Sequence, residues 1–234
     1  MKIIGPFVAL ALLTAAPALA APLDRAATEA IVHDYILAHP EIIPEALQVL
    51  EDRQRAAVIS SNRTAIETPF GYEWDGNPKG DVTLTEFFDY NCGYCRASVA
   101  DVARLLKEDK QLRVVYRELP VLGAQSDAAA LVSLALARNA PQWHAFHNAV
   151  YATGGAEDKQ LTIAAHEAGL IRPVSTATKA TDLRFEINAN LTLAQQLRIT
   201  GTPSWVIGNK LLSGAVGYDD LKAAIAEARA AKRH

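Results

Sequence analysis

Residues 82–96, with the sequence VTLTEFFDYNCGYCR, give the clearest indication of the fold. Residues 82–89 follow the two-residue alternation of a strand, in which every second side chain points to the same face. Four residues would share one face of that strand: Val82, Leu84, Glu86 and Phe88. Cys92 and Cys95 follow directly, and the apolar residues after them recur with helical spacing. The sequence therefore predicts a cysteine pair at the point where a strand passes into a helix.

The position of this pair indicates redox chemistry. The free N–H groups and the dipole of a helix N-terminus stabilise an anion, so Cys92 is expected to form a thiolate readily. A thiolate is the attacking species in disulfide exchange. Two intervening residues, Gly93 and Tyr94, keep Cys95 close enough to resolve a mixed disulfide. A C-x-x-C motif in this context is of the thioredoxin-like redox type, and it needs no organic cofactor and no metal.

Other interpretations of the pair are weaker. A structural disulfide that closes so small a loop would constrain the unfolded chain little. Zinc would need two further ligands, and the chain has only two cysteines. Copper(I) prefers soft sulfur ligands, so a copper(I)-binding protein that uses Cys92 and Cys95 remains an alternative. His144 and His147 are three residues apart, but no third ligand is in register, so they are assigned to an amphipathic helix.

Two more positions support redox chemistry. Glu86 is in phase with the apolar face of its strand, and a buried carboxyl has a raised pKa and can relay a proton. The alternative is a strand-end glutamate that reaches solvent. Thr202 and Pro203 precede a short strand, and a cis bond there would leave the Thr202 backbone free to pair with an extended substrate. Local sequence alone favours an ordinary turn proline with a trans bond.

The rest of the chain predicts an α/β sheet with a helical insertion. A second strand is expected over 112–117 and two short strands over 205–207 and 211–212. The alanine-rich block of about 124–198 has helical spacing, and it separates the two halves of the sheet. Residues 21–66 are predicted to form a helical arm that pairs with other protomers or folds on its own domain. Its few apolar positions do not establish a coiled coil.

The N-terminus and the composition bear on location and partners. Residues 1–20 have a basic start at Lys2, an apolar stretch and an Ala18-Leu19-Ala20 cleavage site, as in a secretory signal peptide. A retained membrane anchor is the alternative. An exported chain would work where disulfides persist. With 23 basic and 26 acidic residues the net charge is −3, which offers no basis for nucleic-acid binding.

The segment TEFFDYNCGYC, residues 85–95, together with Gly201-Thr202-Pro203 resembles the DsbA-like thiol–disulfide oxidoreductases of bacterial envelopes. The resemblance covers about 67–234, and it implies a thioredoxin fold with an inserted helical subdomain. It implies catalytic roles for Cys92 and Cys95 and a buried proton-relay carboxyl at Glu86. It also implies a cis bond at Pro203 that faces the cysteines. Thr202, Pro203, Gly93 and Tyr94 would contact the substrate.

The segment DYILAHPEIIPEAL, residues 34–47, resembles the N-terminal arm of the ScsC-like branch of that family. Some members of the branch form trimers through this arm and act as disulfide isomerases linked to copper tolerance. The resemblance therefore implies a periplasmic homo-oligomer that acts on unfolded or misoxidised proteins and exchanges electrons with a membrane thiol reductase. A DsbA-type dithiol oxidase with a membrane oxidase partner is the alternative. Gly93-Tyr94 differs from the Pro-His dipeptide of strongly oxidising members, which favours a less oxidising pair.

Overall fold

The computed structural model describes residues 24–170 and 181–233. The predicted signal peptide, residues 1–20, lies outside these residues. The chain divides into two compact units, the first ending at Gln48 and the second beginning at Val49. Within the described residues, no helix has both the length and the apolar character needed to cross a membrane.

The first unit contains helix α1 (Arg25–Ala38) and the start of helix α2 (Ile42–Ser61). Asp24 caps α1, since its carboxylate accepts a hydrogen bond from the N–H of Ala26 at 3.3 Å. No residue of α1 is buried. The unit exposes six large apolar side chains: Ile31, Val32, Tyr35, Leu37, Ile43 and Leu47. This helical segment therefore has an apolar surface that its own residues leave open.

The second unit is built on one mixed sheet of five strands in the order β1-β3-β2-β4-β5. Strands β2 and β3 are parallel, and every other neighbouring pair is antiparallel. The strands are β1 (Trp74–Gly76), β2 (Val82–Phe88), β3 (Leu112–Glu118), β4 (Ser204–Ile207) and β5 (Lys210–Ser213). The sequence predicted four of them and missed β1, which is three residues long.

Helices cover both faces of the sheet, which explains why all seven residues of β2 are buried. On one face, Leu84 and Phe88 pack with α4 (Gly93–Glu108), the first three insertion helices and α9 (Tyr218–Ala231). On the other face, Phe87 packs with Ile59 of α2 and with Ile66 of α3 (Arg63–Glu67). The unit that contains the sheet therefore begins well before residue 67, since it starts at Val49 and its core includes Ile59 of α2 and Ile66 of α3.

The inserted helices lie between β3 and β4, as predicted. Within the described part of the insertion they are α5 (Ala124–Leu136), α6 (Ala140–Thr153), α7 (Asp158–Glu167) and α8 (Thr181–Gln196). Gly154 has a φ of 95°, in the left-handed region that favours glycine, and it ends α6. The α/β fold with an inserted helical subdomain is thus confirmed.

One edge of the sheet collects the chemistry-bearing residues. The parallel strands β2 and β3 both end there, and β4, which is antiparallel to β2, begins there. Helix α4 also starts at this edge, five residues after β2 ends. Residues far apart in sequence are therefore brought together by the topology.

Candidate active site

Cys92 is the N-cap residue of α4, so its sulfur lies at the helix N-terminus. Its Sγ accepts a hydrogen bond from the N–H of Cys95 at 3.3 Å. Both cysteines are free thiols, with 6% of Cys92 and 1% of Cys95 exposed. The helix dipole and this N–H stabilise a negative charge on the Cys92 sulfur. Cys92 is thus the more exposed sulfur at the helix N-terminus, and Cys95 is the inner one.

The loop before β4 approaches the same sulfur. The Thr202–Pro203 peptide bond is cis, as the resemblance implies and against the expectation from local sequence. The Cys92 thiol donates a hydrogen bond to the Thr202 carbonyl oxygen at 3.1 Å. The structure therefore brings together Cys92, Cys95, Thr202 and Pro203. Cys92 and Thr202 are 110 residues apart in the sequence.

Glu86 lies on β2 and is only 5% exposed. Burial, and secondly the charge of Cys92, raise its pKa from 4.5 to about 8. Burial, and secondly the charge of Glu86, also raise the pKa of the Cys95 thiol. The charge of Cys92 therefore disfavours the carboxylate form of Glu86, and the charge of Glu86 disfavours the thiolate form of Cys95. A carboxyl with this pKa is mostly protonated at neutral pH.

The two residues between the cysteines face outward. Gly93 is exposed, and the side chain of Tyr94 is 70% exposed. A Cβ at Gly93 would meet only Arg96, at 3.8 Å, which is ordinary van der Waals contact. Tyr94 therefore presents an aromatic surface beside the active-site sulfur.

Asp89 is a site residue that sequence reasoning missed. Its carboxylate is buried and accepts three backbone hydrogen bonds, from Asn91 at 2.8 Å, Val121 at 2.9 Å and Leu122 at 3.0 Å. Its carbonyl accepts a hydrogen bond from the N–H of Cys92 at 3.0 Å. The local bond to Asn91 is typical of an Asx-turn, in which an aspartate accepts the N–H two residues later. The bonds from Val121 and Leu122 join distant parts of the chain, and no sequence pattern indicates them. Asp89 ties the cysteine turn to the loop after β3.

Asn91 and Arg96 connect the cysteine motif to the helical insertion. The Asn91 side chain accepts a hydrogen bond from the N–H of Ala156 at 2.8 Å and donates one to Ser126 Oγ at 3.2 Å. The Arg96 guanidinium donates a hydrogen bond to the carbonyl of Gly154. The insertion therefore fixes the N-terminus of α4 from one side.

His144 and His147 do not converge on a common point. His147 is buried, stacks on Trp143 and lies 3.1 Å from the Tyr90 hydroxyl. Burial lowers its pKa to about 3. His144 Nε2 lies 2.7 Å from Asp75 Oδ1. Among the residues that the structure describes, no cluster of three or more His, Cys, Asp or Glu side chains is arranged to hold a metal ion.

Family models match most of the chain. The model described as thioredoxin matches residues 72–227. The model described as the copper resistance protein ScsC N-terminal domain matches residues 24–57. None of the curated proteins compared with the chain matches it.

Several solved structures are similar to this chain. A linker-deletion mutant of ScsC from Proteus mirabilis is 25% identical over 91% of this chain and 99% of that chain, with a TM-score of 0.72. A thioredoxin-like oxidoreductase from Silicibacter pomeroyi is 39% identical over 72% of this chain and 98% of that chain, with a TM-score of 0.67. The thiol–disulfide exchange protein alpha-DsbA2 from Wolbachia pipientis is 26% identical over 76% of this chain and 97% of that chain, with a TM-score of 0.69.

These similarities confirm the two resemblances seen in the sequence. The thioredoxin match spans the sheet, the cysteine pair and the helical insertion. The ScsC match spans α1 and most of α2.

Proposed function

Because this chain belongs to the thioredoxin family, in a DsbA-like branch with an ScsC-type N-terminus, we propose that it is a periplasmic protein disulfide isomerase. The coarser activity, thiol–disulfide oxidoreductase, follows from the family. The proposal rests most on one observation: the Cys92 sulfur lies at a helix N-terminus against the carbonyl of Thr202. No organic cofactor is required, because the Cys92–Cys95 pair supplies or accepts the two electrons of exchange.

In the first step, the Cys92 thiolate attacks one sulfur of a substrate disulfide. The substrate S–S bond breaks, a Cys92–substrate disulfide forms, and the other substrate sulfur leaves as a thiolate. Thr202 and Pro203 orient the substrate chain beside the sulfur, and Gly93 and Tyr94 form the other contact surface. In isomerisation, a second substrate thiolate then attacks the mixed disulfide and returns Cys92 to its thiolate form, with no net oxidation.

Cys95 acts when the substrate does not resolve the mixed disulfide. It attacks Cys92 Sγ, the substrate leaves reduced, and a Cys92–Cys95 disulfide remains. Its thiol must first lose a proton, and burial opposes this. Once Cys92 is in a mixed disulfide its charge is gone, so the pKa of Glu86 falls and the carboxylate becomes able to accept the Cys95 proton.

The isomerase assignment is supported by the ScsC-type N-terminus and by Gly93-Tyr94, which offers no histidine to stabilise the Cys92 thiolate. An isomerase must be kept reduced, so a membrane thiol reductase is the expected partner. The exposed apolar residues of α1 and the start of α2 support a homo-oligomer, with a trimer as the expected form. Export through cleavage after Ala20 would place the protein in the periplasm.

Refolding of scrambled, multi-disulfide ribonuclease by the reduced protein tests the proposal. We expect ribonuclease activity to recover, and we expect Cys92→Ser to abolish the recovery. Failure to recover activity, combined with rapid oxidation of reduced ribonuclease by the disulfide form, would instead identify a DsbA-type dithiol oxidase.

A second candidate is a copper(I)-binding protein, which is supported by the copper-resistance description of the matching N-terminal family. The Cys92 and Cys95 sulfurs would be its ligands. A copper(I) titration beside an insulin-reduction assay separates the two functions. Tight stoichiometric copper(I) without insulin reduction would favour the copper role.

A further inference from the structure

A cleft of about 550 Å³ lies next to Thr202, and the mechanism above does not use it. Its walls come from the loop after β3, from α8 and from the segment that leads into Thr202. Its apolar lining consists of Leu119, Val121, Leu191, Ala194 and Ile199. None of the ten lining residues is charged, and the polar ones are amides and hydroxyls. The cleft is therefore suited to an uncharged occupant.

The topology places the cleft beside the active-site sulfur. Leu119 directly follows β3, and the lining residue Gly201 is covalently bonded to Thr202. The carbonyl of Thr202 is 3.1 Å from Cys92 Sγ. A chain that lies along Thr202 and continues past Gly201 would therefore enter the cleft.

Asp89 fixes one wall of the cleft to the turn that carries Cys92. One carboxylate oxygen accepts the N–H groups of Val121 and Leu122, and the other accepts the N–H of Asn91. The cleft wall and the reactive sulfur are thus held by one buried side chain. The side chain of Val121 remains 50% exposed and available for contact.

We propose that this cleft binds the residues that flank the cysteine of an extended substrate segment, and that it selects uncharged, apolar flanks. The inference rests on the proposed function, since it assigns the substrate class of the same site. An apolar flank would lose water against the lining, while a charged flank would lose its hydration without gaining a partner. Segments of this kind are exposed in unfolded proteins, where apolar residues have not yet reached a core.

The test uses single-turnover reduction of three peptides by the full, pre-reduced chain. Each peptide holds one cysteine as a mixed disulfide with a small thiol, and the peptides differ only in carrying Leu, Asp or Lys at the second and third positions on either side. Cys92 bonds to the peptide sulfur and displaces the small thiol, and Cys95 then displaces the peptide thiol. The two electrons come from the protein dithiol.

We expect the wild type to reduce the Leu peptide about tenfold faster than either charged peptide, since burying one leucine-sized side chain is worth at least that factor. Val121→Asp should then prefer the Lys peptide over the Asp peptide, and Val121→Lys should reverse that order. The matched controls are Phe185→Asp and Phe185→Lys, on an exposed residue of α8 outside the cleft. These controls should leave the wild-type order unchanged.

Equal wild-type rates for the three peptides would overturn the cleft assignment while leaving the proposed function standing. So would a charge preference that the Phe185 variants produce as strongly as the Val121 variants do. A wild-type protein that reduces neither these peptides nor glutathione disulfide would refute the proposed function, and the cleft assignment with it.

Discussion

Replacing Glu86 by Gln should make the reduced protein more stable at neutral pH, although it removes a residue of the proposed catalytic machinery. Glu86 is buried and its side chain has no hydrogen-bond partner among the described residues, so its charged form is disfavoured. Its pKa is about 8 in the folded protein, against 4.5 for an ordinary glutamate. At about 1.4 kcal/mol for each pKa unit, holding the ionised carboxylate in the fold costs about 5 kcal/mol.

The pH dependence follows from the direction of this change. A carboxyl whose folded pKa is raised imposes no such cost below pH 4.5, where both states are protonated. Above pH 4.5 the unfolded chain releases its proton while the folded chain retains it until about pH 8, so stability falls through that window. At pH 7 the loss amounts to about 3 kcal/mol. Gln is neutral throughout, so Glu86→Gln escapes the loss.

Urea unfolding at pH 4, 5.5 and 7, with a reductant present, measures this effect. The gain of Glu86→Gln over wild type should be about 3 kcal/mol larger at pH 7 than at pH 4. Any fixed cost of burying the Gln amide cancels in that difference. Glu167→Gln, which removes an exposed carboxylate, is the matched control and should show little pH-dependent gain. A Glu86→Gln effect of the same size at pH 4 and pH 7 would refute the buried, protonated carboxyl.

Three further predictions concern catalysis, positioning and assembly. Glu86→Gln should slow the step in which Cys95 displaces the substrate from Cys92 by about 100-fold at pH 7. Rapid acid quench measures this rate, and an unchanged rate would rule out the proton relay. Asp89→Asn should lower the free energy of unfolding by about 1–3 kcal/mol, because one Asn oxygen cannot accept all three N–H groups; chemical denaturation measures this, and an unchanged midpoint would contradict it. A chain that starts at Val49 should sediment as a monomer and still reduce insulin, whereas the mature chain should sediment as an oligomer. If both chains sediment as monomers, the oligomer proposal is wrong.

Local sequence patterns predicted most of the sheet correctly, because strand alternation and helix spacing are properties of neighbouring residues. The same pattern did not show that β2 is covered on both faces, since Phe87 meets Ile59 and Ile66 only through the fold. Strand β1 was missed because three residues are too few to display a period.

Contacts between buried polar groups that are distant in the sequence could not be predicted either. Glu73 and Glu118 are both almost fully buried, and burial raises the pKa of each, to about 8 for Glu73. Ser133 Oγ donates a hydrogen bond to Glu73 at 3.3 Å, across 60 residues of sequence. No neighbouring residue signals such a contact. Glu86 was predictable because its strand phase placed it among apolar residues.

The helical arm shows where resemblance added to spacing. Spacing alone left residues 21–66 undecided between a partner interface and packing on the same chain. The structure divides that segment: Ile59 and Ile66 join the core of the second unit, whereas Ile31, Tyr35 and Leu47 are exposed. The match to the ScsC N-terminal domain and the exposed apolar side chains together support the assembly that we propose for the exposed part.

The most direct test of the account is to trap the covalent intermediate. Cys95→Ser removes the resolving thiol, so the reduced variant mixed with a disulfide-bonded substrate protein should accumulate a Cys92–substrate disulfide. Peptide mapping under non-reducing conditions should locate the bond at Cys92. If no adduct forms at Cys92, or if Cys92→Ser still exchanges disulfides at the wild-type rate, then Cys92 is not the nucleophile and the proposed exchange mechanism is wrong.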